Sequence, residues 1–413
     1  MDDGTVDRHG HSRTGEHSRT GERRWPAVLA LAGSAVVALA VIVVTTQLVS
    51  AADPAGGSAP AAASTGEGRT RTYYIAADHV TWDYAPAGRD AASDQPWDET
   101  SGVFTVAGPD RIGTRYLKSL YRQYTDDTFT TLVPRPAAWE HLGFLGPVVH
   151  VEVGDTLDVV FRNNLDRPVS VHMHGLQYDK GSEGAPYQDG TTDEQRGDDA
   201  VPPGATYTYH YTVPDRAGPG PMDGSSIMWM YHSHTDEVGD VYSGLMGPVI
   251  VTRKGMARPD GSPADVDREL VSVFSVEDEN QSSDAAANLA SLAQPPDPDD
   301  GDFVESNLMH DVNGYVYGNG PLGGAPGEGT TVQVGQHVRW YLMSMGNEVD
   351  LHTPHWHGNT VVANGMRTDV VSLLPAQMLT ADMTPDDPGV WLFHCHVADH
   401  LTAGMVTRYQ VLP

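Results

Sequence analysis

The sequence predicts an all-β fold of two β-sandwich domains behind an N-terminal helical segment, and three features carry the prediction. Alternating or β-branched runs of five to nine residues recur along the chain and are bounded by turn residues. Gly (44) and Pro (29) are frequent while only 19% of residues are charged, as in turn-rich chains. No apolar pattern of helical period is long enough for a bundle. With 413 residues the chain has room for two or three domains with sizeable cores.

Residues 1–24 are polar and repeat HSRTGE at 11–16 and 17–22, the text of a disordered cytoplasmic tail. Arg23 and Arg24 precede an apolar stretch at 25–50 that is long enough to span a bilayer. It is either a transmembrane anchor or a twin-arginine export signal cleaved at Val49-Ser50-Ala51. Both readings leave the rest of the chain extracytoplasmic, membrane-anchored or secreted. Residues 51–69 read as a flexible linker. VVHVEV (148–153), TLDVVFRN (156–163), ATYTYHYTV (205–213) and GPVIVTR (247–253) read as strands of a first domain, 70–255. ELVSVFSV (269–276), TTVQV (330–334), HVRWYLM (337–343), GVWLFHCHV (389–397) and GMVTRYQVL (404–412) read as strands of a second, 265–413. The acidic, proline-rich stretch 280–302 reads as an exposed loop.

Charge and cysteine content exclude whole classes of function. Lys+Arg total 25 against 55 Asp+Glu, a net charge of −30, so a nucleic-acid partner is not expected. The single cysteine, Cys395, rules out an intrachain disulfide and any metal site built on two or four thiolates.

Histidine carries the functional signal. Ten of the 19 fall into four clusters: His172-Met-His174, His232-Ser-His234, His352-x-x-His355-x-His357 and His394-Cys395-His396-x₃-His400. On a strand, residues i and i+2 share a face, so each His-x-His pair offers two imidazoles to one side. In the last cluster Cys395 points the other way, and the backbone joins its sulfur to imidazoles on the opposite face. His352, Cys395, His400 and Met405 are the ligand types of a blue-copper electron-transfer site. The remaining eight histidines, in four pairs, supply nitrogen enough for a compact multicopper cluster. Structural zinc would use four ligands rather than ten.

In this order the four clusters resemble the copper motifs of the multicopper oxidases. YYIAADHVTWDYAP (73–86), GPDRIGTRYLKSLYRQYTDDTF (108–129), LGFLGPVV (142–149), MYHSHTDEVGDVYSGLMGPVIV (230–251), VFSVEDEN (273–280), ESNLMHDVNGYVYG (305–318) and WYLMSMGNEVDLHT (340–353) extend the likeness to the ceruloplasmin and hephaestin branch. The resemblance implies cupredoxin-like Greek-key β-sandwich domains, two here where ceruloplasmin has six. It implies four coppers per chain. His352, Cys395, His400 and Met405 would hold type 1, His172 and His355 type 2, and His174, His232, His234, His357, His394 and His396 the type 3 pair. The first two clusters lie in one domain and the last two in the other. Closing a ceruloplasmin-like ring from two-domain chains then implies a homotrimer that shares each cluster between neighbours, the alternative being a monomer that folds its own two domains together.

The same resemblance implies a ferroxidase, which couples one-electron oxidation of Fe(II) to Fe(III) with four-electron reduction of O₂ to water. Glu305, His310, Asp399 and Glu348 match its iron-binding positions, with Glu348 coming from the next chain in a trimer. Cys395 would pass the electron through His394 and His396. Lys180 (by its carbonyl), Gln195, Asp198 and Asp199 match a Ca²⁺ site, an all-oxygen set suited to that ion. Tyr178 matches a tyrosine near the trinuclear site of two-domain laccases and either donates an electron or packs. The second reading is a laccase-type oxidase of phenols and aromatic amines, with the same copper sites and a small aromatic reductant in place of iron. Vertebrate relatives carry disulfides and this chain has none.

Overall fold

The computed structural model describes residues 68–294, 296–297 and 300–413. The tail at 1–24, the apolar segment at 25–50 and all of the linker but residues 68–69 lie outside the described residues. No helix among the described residues is long and apolar enough to cross a membrane.

The all-β class holds. Among the described residues eighteen strands run in chain order as β1 (Thr70–Asp83), β2 (Arg115–Tyr124), β3 (Val149–Glu152), β4 (Thr156–Asn163), β5 (His172–Met173), β6 (Thr206–Thr212), β7 (Ser226–His232), β8 (Met246–Thr252), β9 (Arg268–Asp278), β10 (Leu308–Val312), β11 (Thr331–Gln333), β12 (Val338–Ser344), β13 (Pro354–Trp356), β14 (Val361–Ala363), β15 (Met366–Thr368), β16 (Met378–Met383), β17 (Gly389–Cys395) and β18 (Val406–Leu412). They form four sheets: β2-β1-β4-β6 and β3-β8-β7-β5, then β10-β9-β12-β16-β14-β15 and β11-β18-β17-β13.

The second half repeats the first. β1 pairs antiparallel with β2 and parallel with β4, just as β9 pairs with β10 and β12. β3–β8 and β11–β18 are both parallel, while β5–β7 and β13–β17 are both antiparallel edge pairs. The repeat places His172 opposite His232 on one sheet edge and His355 opposite His394 on the other.

Each half has its own core, with Val151, Phe161, Tyr209 and Val249 in one and Trp340, Trp356, Phe393 and Tyr409 in the other. A third apolar cluster draws Tyr84, Phe144 and Met230 from the first half and Val271, Met309 and Tyr341 from the second. Set in that layer is a fully buried lysine. Lys118 Nζ lies 2.6 Å from Glu279 Oε1, 2.7 Å from Tyr242 O, 3.0 Å from Tyr84 Oη and 3.5 Å from Glu277 Oε2. Burial pushes the Glu277 carboxyl up to about 7, against the pull of Lys118.

The stretch 280–302 is not the open loop its composition suggests. It contains the helix Ala285–Ala290, and buried side chains tie it down. Asp284 accepts from Arg167 Nη1 (2.9 Å) and Ser119 Oγ (2.7 Å), and Asn288 hydrogen-bonds both backbone groups of Leu117. Acidic residues mark solvent in a sequence, but here one of them is paired with an arginine 117 positions away.

Candidate metal centre

β17 ends at Cys395, the helix Ala398–Thr402 turns the chain back, and His400 and Met405 return to the same point. Cys395 and Met405 exchange a backbone bond, N to O at 3.1 Å. His352 enters from the other side through its bridge to Leu373. The imidazole nitrogens of His352 and His400 face each other through Nδ1 at 3.1 Å, and Cys395 Sγ lies 3.9 and 3.7 Å from them. All four side chains are buried.

Burial pushes the Cys395 thiol up. Contacts with His352 and His400 and the amide of Thr353 outweigh it and pull the thiol down to about 6. A thiolate with two converging nitrogens, sealed from water, fits a copper of the electron-transfer type. One further carboxylate sets the geometry. Asp350, wholly buried, accepts from His352 Nε2 at 3.1 Å and from the amides of Val276 (2.7 Å) and Asn347 (2.8 Å). With its proton held on Nε2, His352 keeps Nδ1 bare toward Cys395.

At the β5 edge four rings gather. His172 lies 5.3, 5.5 and 5.1 Å from the ring centres of His174, His232 and His234, and His174 and His232 face each other through Nε2 at 3.1 Å. His172 Nδ1 donates to Glu183 O (2.6 Å) and His232 Nδ1 to Ser233 O (3.0 Å), which leaves both Nε2 atoms bare. Burial first, then the neighbouring rings, lowers His174 to about 4 and His232 to about 3. Ser233, between the last two histidines, donates to buried Asp240 at 2.6 Å.

The β13 edge carries the matching quartet. His394 Nε2 lies 3.0 Å from His357 Nε2 and 3.3 Å from His355 Nδ1, and His394 Nδ1 donates to Cys395 O at 2.7 Å. The ring of His396 sits 5.2 Å from that of His355. Cys395 therefore faces the core while His394 and His396 face the edge, as the alternation predicts. Imidazoles with bare nitrogens suit Cu, and each quartet holds three donors within 4.8 Å of one another, one of them buried and two half-buried. Among the described residues no hydrogen bond or ring contact joins the two quartets.

Of the four residues expected to bind iron, His310 reaches the group formed by His352, Cys395 and His400. Its ring lies 5.4 Å from that of His400, and its Nδ1 donates to Leu308 O at 3.1 Å, leaving Nε2 bare. Burial, followed by the nearby His400, lowers it to about 4. Glu305, on the helix Gly301–Ser306, Asp399 and Glu348 are exposed. Among the described residues their carboxylates make no hydrogen bond or ion pair with His310.

Of the residues expected to hold calcium, buried Asp198 accepts from the Gly184 amide through Oδ2 at 2.7 Å, while its Oδ1 has no partner among the described residues. Burial raises Asp198, and burial followed by the charge of Asp198 raises Asp199. Gln195 Oε1 accepts from Thr192, and the Lys180 amine turns to Glu183 at 2.5 Å. Tyr178 stands edge-on to His172 at 5.9 Å and to Tyr211 at 6.0 Å. The side chains that sequence reasoning missed are Asp350, Asp240 and Phe104. Asp350 had a signal, since it stands two residues before His352 and so on its side of an extended segment; the other two approach through tertiary contacts.

Residues 129–255 and 293–413 each match a family model described as multicopper oxidase. Over 348 residues, 83% of this chain, the sequence is 43% identical to a Homo sapiens protein named Ferroxidase HEPHL1, of which it covers 29%. Over 359 residues, again 83% of the chain, it is 40% identical to Homo sapiens Ceruloplasmin, of which it covers 31%. The chain thus spans under a third of the length of these relatives. A crystal structure titled as a multicopper oxidase superposes with TM-score 0.51 at 19% identity, covering 83% of this chain and 89% of that one, a likeness of fold.

Proposed function

This chain belongs to the multicopper oxidase family, and on that footing we propose that it is a ferroxidase, oxidising Fe(II) with dioxygen. The reading takes it as two cupredoxin-like domains, 70–255 and 265–413, exposed on the extracytoplasmic side. Four coppers bound by the residues described would supply one-electron acceptance at the type 1 site and four-electron reduction of O₂ to two waters at the trinuclear site.

The observation that carries the substrate assignment is the ring of His310 against His400. It is one imidazole more than a type 1 site requires, and its bare Nε2 makes it a ligand for a substrate cation beside the point of electron entry. Glu305, Asp399 and Glu348 would add carboxylates. Hard oxygen donors hold Fe(III) more tightly than Fe(II) and so favour release of the electron. His400 and Cys395 would hold the type 1 copper, and the neighbours of Cys395, His394 and His396, would link it through the backbone to the β13 edge. Glu348 would serve a neighbouring chain's site, and the two separate quartets would meet across the same contact in a homotrimer. The unpartnered Oδ1 of Asp198 favours a Ca²⁺ held with Asp199, Gln195 and the Lys180 carbonyl.

Oxygen uptake by the copper-loaded chain decides the substrate, with Fe(II) in one series and a methoxyphenol in another, and with Cys395→Ser correcting for autoxidation. The expected outcome is a higher kcat/KM for Fe(II), falling at least about tenfold, equivalent to ~1.4 kcal/mol, in Glu305→Ala. A higher kcat/KM for the phenol, indifferent to Glu305→Ala, would make the protein a laccase.

A further inference from the structure

The excursion between β1 and β2, residues 84–114, belongs to the first half of the chain yet closes over the type 1 donors of the second. Ala91 and Ala92 donate their amides to Tyr317 O at 2.9 and 3.3 Å, and Trp97 meets the Tyr317 ring at 5.5 Å. Tyr317 donates its own amide to Gly404 O (2.8 Å) and its hydroxyl to Thr402 O (3.3 Å). The excursion is thereby fastened to the turn that delivers His400 and Met405. Its helix, Glu99–Thr105, starts at a capping box formed by Asp98 and Ser101 and buries Phe104. The Phe104 ring stands edge-on to His310 at 5.6 Å, and His310 lies against His400.

An electron has to enter through this wall. Neither the four type 1 side chains, nor His310, nor Phe104 is more than 8% exposed. A planar aromatic reductant passes its electron best with its ring in van der Waals contact with an imidazole edge, and these rings are almost wholly covered. A small cation needs one lone pair, and His310 Nε2 supplies it because Nδ1 is held by Leu308 O. We infer that Phe104 is a specificity-determining residue: its ring shields the His310–His400 pair from aromatic reductants while leaving a small cation access. The inference rests on the type 1 assignment made above, and no copper or iron ligand is substituted in testing it.

The test compares the full-length copper-loaded chain with Phe104→Ala and Phe104→Leu. One readout is the rate at which diethyl pyrocarbonate modifies His310, followed by peptide mapping; copper blocks its ligand histidines and leaves His310 to report shielding. Another is anaerobic bleaching of the blue band by a methoxyphenol, which needs no turnover with oxygen. In Phe104→Ala both rates are expected to rise about tenfold, with oxidation of Fe(II) within about threefold of the parent. Phe104→Leu should move both in the same direction by less, and it carries the test if the cavity left by alanine unfolds the protein. Faster modification of His310 with unchanged bleaching, or neither change while the blue band is intact, would overturn the proposal. A parent chain that bleaches slowly with phenol but does not turn over Fe(II) would defeat the ferroxidase reading while the shielding result stands on the variant ratio.

Discussion

Imidazole can ligate through either nitrogen, so every ring at these sites must be told which one to leave bare. His172, His232, His310 and His394 each spend Nδ1–H on a backbone carbonyl and expose Nε2. His352 is reversed, because Asp350 takes its Nε2–H and frees Nδ1 toward Cys395 and His400. A carboxylate behind a ligand ring raises the ring's basicity and favours the oxidised metal. Asp350→Asn, with nearly the same volume, is therefore expected to raise the type 1 reduction potential and lower copper affinity by about 10–100-fold. A potentiometric titration of the blue band and a competition with a copper chelator would check both. Unchanged values in both would show that Asp350 only packs.

At the scale of elements, β9 and β10 carry the polar island between the two halves. Met309 stands opposite Glu277, and Asp311 opposite Ser275. Glu277 has a raised folded-state pKa, about 7 against an ordinary 4.5, because it is wholly buried. Below the lower value it is protonated folded and unfolded, so it contributes no pH dependence. Between the two values the unfolded chain gives up its proton while the folded one keeps it. Stability therefore falls as pH rises through this window, and the full cost remains above it. Glu277→Gln removes that cost. Urea unfolding of the metal-free protein should find the variant more stable at pH 8 by about 1–3 kcal/mol, with a smaller difference at pH 5. Lys118 keeps its closer partner, Glu279, in the variant. A difference independent of pH would mean that Glu277 is ionised throughout.

For the whole molecule, the repeat of the fold puts each histidine quartet on a sheet edge of its own half, and among the described residues no hydrogen bond or ring contact joins the two. In the proposed homotrimer each cluster of eight imidazoles would draw its two quartets from two chains. Co-expression of His232→Ala with His357→Ala tests this directly. Neither variant alone should reduce oxygen, but in random mixed trimers about a quarter of the interfaces pair two intact quartets. Partial recovery is expected, together with a native mass three times that of the chain. No recovery in a verified mixed assembly would place both quartets of each cluster within one chain.

The all-β class, nine of the strands and the identity of the ten histidines around a single cysteine were legible in the sequence, because period-two alternation and i, i+2 ligand spacing are local properties of an extended chain. Pairing across the chain was not. Short strands such as β5 exist only as partners of others, and the helix Ala285–Ala290 is held by contacts with residues of the first half. Tertiary structure alone decided that Asp350 orients His352 from beneath, that Asp240 braces Ser233, and that Phe104, more than two hundred positions away in sequence, closes on His310. The reason is physical: which residues can ligate is written in side-chain chemistry, whereas which face a ring presents, and what can reach it, depends on neighbours that only folding supplies.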